Sequence, residues 1–194
     1  VGVNTGSGTS AIGGAVKATT TTLTGTGTAT FADDITGNVA FGAAATGSVA
    51  ADKKIVGAIT TTSDGQGTLT FGTATTDTTL VSGNIATSSA ALLALNLNSG
   101  TTAGTTITLG GETNARTVTI AGTQTTAFTD DITAATKVDI TADGTVNIAA
   151  DKKIVGALDA GSASIGTVNF AATSTNTTLV SGTTGAGNAV KVIN

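Results

Sequence analysis

Two pairs of adjacent aspartates are the residues of this chain with the clearest capacity to bind a metal ion. Asp33 and Asp34 recur as Asp130 and Asp131 within one phrase, Phe-x-Asp-Asp-Ile-Thr. A hard cation such as Ca²⁺ is bound by clustered carboxylate and carbonyl oxygens. The alternative is a polar turn, which is favoured because neither an EF-hand loop nor a calcium-binding nonapeptide accompanies the pairs. We therefore predict that folding needs no metal and no cofactor, with these four aspartates as weak candidates.

Catalytic chemistry is poorly supported by the residue types present. The chain has no His and no Cys, so the nucleophile–base pairs that depend on them are unavailable. A carbohydrate lyase would need clustered carboxylates beside Lys or Arg, yet Arg116, the single arginine, has only Glu112 near it in sequence. We predict a protein that is not an enzyme and that has no catalytic residues.

The tripeptide Asp-Lys-Lys occurs twice, at 52–54 and 151–153, in an otherwise weakly charged chain. As a functional element it could contact host glycans or a neighbouring subunit. As a structural element it is a solvated corner that keeps the protein soluble, since exposed charges contribute little free energy individually. The sequence favours the structural role.

Thr-x-Thr pairs raise the question of an ice-binding face, because flat threonine arrays can order water. Such a face requires one pair in each coil of the fold, at a constant interval. The pairs are irregularly spaced along the chain, at 68/70, 106/108 and 117/119, with a run over 24–30. Ordinary solvent-facing strands explain them better, so ice binding is a minor alternative.

The composition excludes several classes of protein. Only 10% of the residues are charged and the net charge is −4, without the basic stripe that would indicate binding to nucleic acid. The longest apolar run, 90–95, is far shorter than the roughly 20 residues of a membrane-spanning helix. Phe is the only aromatic residue. Any core must therefore be thin and built mainly from Val, Ile, Leu and Ala.

Internal repeats point to the architecture. The phrase at 49–58, Val-Ala-Ala-Asp-Lys-Lys-Ile-Val-Gly-Ala, returns with one change 99 residues later, at 148–157. The same interval separates the phrases at 67–71 and 78–83 from their own copies. A chain built in this way is expected to stack or string together similar structural units.

A fainter copy relates 7–17 to 181–191, so that successive units begin at 7, 82 and 181. We predict one repetitive domain over 1–194, with unequal units of 7–81 and 82–180. The segment 181–194 is expected to begin a further unit. The chain begins with Val rather than Met and has no charged-then-apolar leader, so a processed or excised segment is expected.

The local signal is β-structure throughout. Apolar and polar residues alternate with period 2 in many short segments, including 105–109, 116–120, 137–140, 145–148 and 167–170. Thr and Val are β-branched and suit a pleated surface, and Gly, Asn and Asp separate the segments. We predict a fold that is nearly all β, with no helix longer than about two turns.

Two architectures fit many short strands and a long repeat: a parallel β-solenoid with coils of about 20 residues, and a tandem array of β-sandwiches. The unequal units favour the solenoid. Most of their length difference is a block of 22 residues before the second Phe-x-Asp-Asp phrase, which we interpret as about one added coil. A solenoid accepts such an insertion because each coil contacts only its neighbours.

Inward-facing apolar residues should stack in columns in such a fold. Residues at equivalent repeat positions, such as Phe71 and Phe170, are expected to be buried alike. The predicted core consists of Ile55, Val56, Leu69, Phe71, Leu80, Leu95, Leu109, Val118, Ile120, Val138, Ile140, Val146, Ile148, Ile154, Leu179 and Val192.

The sequences of the repeated segments resemble the passenger regions of bacterial autotransporters. The phrases at 51–58, 166–170 and 177–182 are most similar to the Thr/Ala/Gly/Asn-rich repeats of rickettsial surface antigens. The resemblance lies in the composition and in the repeated segments, and it extends over most of the chain. It implies a parallel β-helix, export from the cell, and a role in adhesion or surface coating. The aromatic girdles of a translocator barrel are not present in this sequence.

These observations predict a non-enzymatic, extracellular or cell-surface structural protein: a β-rich fibre, stalk or surface-layer segment. The alternative is the shaft or binding region of an adhesin. The expected partners are further copies of the chain, joined head to tail, or flanking repeats of a longer chain, and in the adhesin case a host or neighbouring cell surface. The strand pattern at 190–193 would need such a neighbour to cover it. Neither nucleic acid nor a membrane span is expected.

Overall fold

A computed structural model describes residues 1–171 and 178–194 of the chain. The described part forms twenty β-strands and contains no helix. Thr177, the first residue of the repeated phrase 177–182, lies outside the described residues. The strands are β1 Gly2–Asn4, β2 Thr9–Ile12, β3 Val16–Thr24, β4 Thr28–Phe31, β5 Ile35–Phe41, β6 Thr46–Val49, β7 Ile55–Val56, β8 Ile59–Thr61, β9 Gln66–Phe71, β10 Thr78–Val81, β11 Leu92–Asn98, β12 Thr106–Leu109, β13 Thr113–Ala121, β14 Thr125–Phe128, β15 Ile132–Ile140, β16 Thr145–Ile148, β17 Ile154–Val155, β18 Leu158–Ala160, β19 Ile165–Phe170 and β20 Val190–Ile193.

Every pairing between these strands is parallel and joins residues of successive turns of the chain. The turns number about eight and follow one another at intervals of about 20 residues. This confirms the β-solenoid with coils of about 20 residues, and also the prediction that the fold is nearly all β. A tandem sandwich is excluded, because its sheets are antiparallel.

The hydrogen-bonded neighbours fall into three parallel ladders, which we call A, B and C in chain order within a coil. Ladder A contains β2, β4, β6, β9, β11, the second halves of β13 and β15, and β18. Ladder B contains the first parts of β3 and β5, then β7, β10, β12, β14, β16, β19 and β20. Ladder C contains β1, the second parts of β3 and β5, β8, the first halves of β13 and β15, and β17, joined by single bridges at Ile85 and Val180. Each coil therefore has three sides.

The core is the space between the three ladders. Side chains alternate outward and inward along each strand, so that β6, β12 and β16 all have the burial pattern half-buried, buried, half-buried, buried. Inward residues in register form columns, such as Leu69, Leu95, Val118 and Val138 in ladder A. Small aliphatic residues suffice here because a three-sided coil encloses a narrow interior.

Most of the predicted core residues are buried, as the alternation indicated. Val56 is an exception, with 43% of its surface exposed, because it follows the inward-facing Ile55 and must point outward. Val192 is 37% exposed, and Leu179 and Phe170 are only half-buried. Val192 is in register with the outward Thr167 and therefore also points outward. Leu179 and Phe170 lie in the last described coils, where fewer residues cover them. Repeat-equivalent residues are thus not buried alike when one copy is at the end of the stack.

Residues that are equivalent in the long sequence repeat lie in different ladders of the solenoid. Phe31 lies in ladder A, and four coils further along that ladder is Ile120. Phe128, the repeat partner of Phe31, lies on the next side of that coil, in ladder B. The later copy is therefore displaced by four coils and one side. Its side chains face a different direction about the solenoid axis.

The first and second units differ in length by two sides and not by a whole coil, which corrects the interpretation of the 22-residue block. Ser10 lies in ladder A, and its repeat partner Ile85 lies in ladder C, three coils and two sides later. The third copy of this position, Thr184, returns to ladder A, eight coils above Ser10. Two unequal units together thus restore the original side.

Three core threonines have no hydrogen-bond partner for their hydroxyl groups: Thr21, Thr113 and Thr126. Thr126 is fully buried and lies between Ile107 and Val146 in ladder B. A buried hydroxyl without a partner costs about 1–3 kcal/mol of desolvation. The Thr126→Val variant should therefore raise the free energy of unfolding by about 1 kcal/mol in urea titrations. The outward Thr125→Val is the control, and an equal gain there would contradict this explanation.

Candidate functional site

The aspartate pairs and the Asp-Lys-Lys tripeptides, which are separate in the sequence, meet in the structure. Lys53 Nζ lies 3.0 Å from Asp33 Oδ1, and Lys152 Nζ lies 2.6 Å from Asp130 Oδ1. Each lysine reaches back one coil, because the tripeptide follows the aspartate pair by about the length of a coil. We call these two arrangements the Asp–Lys corners.

The second aspartate of each pair binds the backbone of the same tripeptide. Asp34 Oδ1 accepts a hydrogen bond from the N–H of Lys54 at 3.1 Å, and Asp131 Oδ1 accepts one from Lys153 at 2.9 Å. The bond from Lys53 Nζ, the N–H of Asp34 and the charge of Lys53 together hold the pKa of Asp33 below its usual value. Both corners therefore consist of carboxylates that already have donors from the protein.

This geometry bears on the calcium hypothesis. A cation bound at Asp33 or Asp130 would have to replace a lysine ammonium group as the partner of the carboxylate. Within residues 1–171 and 178–194, no group of three or more His, Cys, Asp or Glu side chains could hold a metal ion. The corners are better described as links between consecutive coils.

Chelation should consequently leave the fold unchanged. We expect the same melting temperature with and without EDTA, because the donors to these carboxylates come from the chain itself. Differential scanning calorimetry in EDTA and in Ca²⁺ provides the measurement. A large drop in EDTA that Ca²⁺ reverses would make Asp33, Asp34, Asp130 and Asp131 a calcium site.

Asp52, the first residue of the first tripeptide, fixes the loop of the next coil. Its carboxylate accepts bonds from the N–H and the hydroxyl group of both Thr75 and Thr76, at 2.5 to 3.2 Å. Asp52 has φ of 57° and Asp151 has φ of 60°, so both copies adopt the left-handed conformation that Asp tolerates better than most residues. The donors from Thr75, followed by those from Thr76, lower the pKa of Asp52 to about 2.

The lowered pKa predicts a specific pH dependence. A carboxyl group whose pKa is lower in the folded state stabilises the fold above its unfolded-state pKa. For Asp52 this contribution should be present above about pH 4 and be lost as the pH falls from 3.8 towards 2. In urea titrations, Asp52→Asn should be less stable than the wild type at pH 6, and the difference should disappear near pH 2. A difference independent of pH would contradict the prediction.

The two Asp–Lys corners face different directions. The first lies between ladders A and B, after β6 and before β7. The second lies between ladders B and C, after β16 and before β17. One motif is thus presented on two edges of the same solenoid. The two corners face different directions because the second copy of the repeat is displaced by one side of the coil.

A shallow apolar recess accompanies each corner. One is lined by Ala127, Phe128, Asn147, Ile148 and Phe170, among others. The repeat-equivalent recess lies on ladder A and is lined by Ile12, Thr30, Phe31, Ser48 and Ala50, among others. Both are open to solvent and have small outward side chains. Neither brings together the acid, base and nucleophile that a catalytic site needs.

Several other charged side chains form ion pairs. Arg116 binds Asp64 Oδ2 at 2.8 Å, and this partner is two coils away in the stack, so Glu112 is not the carboxylate beside it. Lys137 lies between Asp139 at 3.0 Å and Asp159 at 3.7 Å. The pairs with Asp64 and Asp159 link different coils, and such partly exposed pairs contribute little free energy individually.

Sequence reasoning missed a regular arrangement of threonines on the outside of ladder A. Three consecutive coils present a hydroxyl pair in register: Thr28 with Thr30, Thr46 with Ser48, and Thr68 with Thr70. Two effects concealed it. Serine replaces threonine in one pair, and the pair at 106/108, which makes the intervals in the sequence irregular, lies on ladder B. A search for hydroxyl-x-hydroxyl at intervals of 18 to 22 residues would have found it.

No helix in the described part of the chain is long and apolar enough to span a membrane. Comparisons with protein-family models, with curated proteins and with solved structures give no match to this chain.

Proposed function

We propose that this chain is a rigid, non-enzymatic structural segment of a secreted or surface-anchored bacterial protein, serving as a fibre, stalk or surface layer. The observation that carries the proposal is the unbroken core. One cluster of buried side chains extends from Leu23 to Val168 through consecutive coils. Such a stack resists bending because every coil is tied to the next by backbone hydrogen bonds along three ladders.

The polar residues support the same function. Charged side chains join one coil to the next: Lys53 binds Asp33, and Asp52 binds Thr75. Asparagines continue this on ladder B, where Asn169 donates to Asn147 at 2.9 Å and Asn194 donates to Asn169 at 2.8 Å. These contacts follow the axis of the solenoid and strengthen it against separation of its coils.

Assembly head to tail is the second part of the proposal. The first described coil presents the half-buried Val3, Ile12 and Val16. The last one presents Ile193, which is 45% exposed although it is in register with the fully buried Val168. Open solenoid ends of this kind are usually covered by capping segments or by further coils. A second copy, or flanking repeats of a longer chain, would continue the three ladders.

The adhesin shaft is the alternative function, and one observation favours it. The same Asp–Lys corner and apolar recess occur on two edges of the solenoid, so one surface element is displayed in two directions. The resemblance to autotransporter passengers in the repeat phrases fits either function and supports an extracellular location. A fibre needs only copies of itself, whereas an adhesin must bind a cell or matrix as a monomer.

Electron microscopy and sedimentation of the purified chain over a range of concentrations test the structural proposal. We expect rods that lengthen into filaments as the concentration rises. Ile193→Asp should suppress the filaments, because it places a charge at the inward position of the last strand, at the open end of the core. Val56→Asp is the control, since Val56 is an exposed apolar residue within the stack. A monomer that forms no filaments at any concentration but binds cells would favour the adhesin instead.

A further inference from the structure

The outer face of ladder A carries a two-dimensional array of hydroxyl groups. Its two outward columns follow the strand register from coil to coil, one through Thr28, Thr46 and Thr68 and the other through Thr30, Ser48 and Thr70. All six side chains are half-buried, with their outer ends accessible. The array is complete over three consecutive coils and is confined to them, because Ala11 and Ala94 interrupt the columns in the coils on either side.

The spacing of this array is set by the backbone. Neighbouring strands of a sheet lie about 4.7–4.9 Å apart, and residues two apart on one strand are separated by about 6.6 Å. Because every coil of ladder A stays in register over these strands, both spacings repeat without slippage. Threonine adds rigidity, since its branched side chain has few rotamers and loses little entropy when it binds.

The array is also free of charge and largely free of competing hydrogen bonds. In the described part of the chain, the hydroxyls of Thr28, Thr46 and Thr68 have no side-chain or backbone partner in the protein, whereas Thr70 accepts a bond from Asn96. The first charged residues along the columns are Lys137 and Asp139, beyond Thr117 and Thr119. The first Asp–Lys corner, with Asp33 and Lys53, borders the array where ladder A meets ladder B. Charged groups orient water strongly around themselves, so their absence from the columns leaves the water over the array itself to be ordered by the hydroxyls and methyls.

We propose that this face of ladder A binds ice. The hydroxyl columns offer hydrogen bonds at spacings close to those between oxygen atoms on crystal planes of ice, and the methyl groups favour a cage-like layer of water. Because the scaffold holds the side chains in place beforehand, adsorption requires little further ordering of the protein. Many weak water contacts in register then act together at a crystal surface.

The outer face of ladder B also carries threonines, but it lacks the second hydroxyl column of ladder A. Thr106, Thr125, Thr145 and Thr167 form one hydroxyl column in register. The neighbouring column contains Ala127 followed by asparagines that bind each other. The second row of free hydroxyls is therefore missing. This ladder supplies a matched control, because Thr145 is the repeat partner of Thr46.

The test is inhibition of ice recrystallisation and thermal hysteresis by the purified full chain. Tyrosine suits an outward strand position, so Thr46→Tyr should fold normally while its ring projects from the centre of the array. We expect the wild type to inhibit ice growth and Thr46→Tyr to need about tenfold more protein, as for loss of a central contact. Thr145→Tyr should behave as the wild type. Circular dichroism and melting temperature establish that both variants are folded.

Three outcomes would overturn the proposal. The folded wild type could leave ice growth unchanged, or the two tyrosine variants could lose activity equally. Sedimentation could also show that Thr46→Tyr dissociates a side-by-side dimer, in which case the face binds a second copy of the chain. Filament formation through the end coils is measured separately with Ile193→Asp, so its failure leaves the ice-binding result interpretable.

Discussion

Replacing Phe71 with alanine is expected to lower the free energy of unfolding by about 3–5 kcal/mol, the usual cost of removing a buried phenylalanine. Phe71 is 3% exposed and its strand pairs with β6, where Val49 is its partner in register. In a narrow interior the neighbouring coils cannot collapse into the vacated space without breaking the ladders. Urea titration followed by circular dichroism gives the free energy.

Phe170 provides the control within the same chain. It is the repeat partner of Phe71 but is only half-buried, because it lies near the end of the described stack. Burial free energy scales with the apolar area removed from water, so Phe170→Ala should cost about 1–2 kcal/mol. Equal losses for the two variants would mean that another coil or another molecule covers Phe170 in solution.

Period-2 alternation predicted the strands well, since it reflects the pleat itself. The segments at 116–120, 137–140, 145–148 and 167–170 all lie in strands, the predicted segment 105–109 begins one residue before its strand, and the last strand falls on 190–193. Alternation also shows why Val56 was misplaced. A pair of adjacent apolar residues, Ile55 and Val56, cannot both face inward, and the strand there is only two residues long. The sequence alone does not indicate whether Ile55 or Val56 faces inward.

The side on which each segment lies could not be predicted. All three ladders use the same small aliphatic residues inward and the same threonines outward, so a segment fits any side equally well. The phrase at 148–157 illustrates this, because it folds in ladder B where its copy at 49–58 begins in ladder A. Each strand segment forms one side of a coil, and any side accepts it. The repeat can therefore gain or lose one or two sides without altering the core.

The Asp–Lys corners could have been derived from the sequence once the coil length was assumed. Asp33 and Lys53 are separated by 20 residues, and Asp130 and Lys152 by 22, which places each pair one above the other in a stack of such coils. The hydroxyl array was harder to find, because coil lengths vary as the loops between ladders vary. Register, which depends on those loops, is known only from the folded chain.

A methyl group added at Gly67 should be among the most damaging changes in the molecule. Gly67 has φ of 73°, and a Cβ there would lie 2.4 Å from Cδ1 of the Phe41 ring. Phe41 is fully buried, so its ring has no free space into which to move. Left-handed strain costs about 1–2 kcal/mol and overpacking a further 1–3, so Gly67→Ala should lose about 3 kcal/mol or more.

Gly104 separates these two contributions. Its φ is 84°, but a Cβ at this position would meet nothing within 4 Å. Gly104→Ala therefore measures backbone strain alone and should cost about 1 kcal/mol. The difference between the two variants in urea titrations is the steric conflict with Phe41. If Gly67→Ala costs no more than Gly104→Ala, the coil adjusts around the added methyl, and the interior is less rigid than a load-carrying shaft requires. A large difference, reduced when Phe41 is replaced by leucine in the Gly67→Ala background, would instead locate the conflict at the ring.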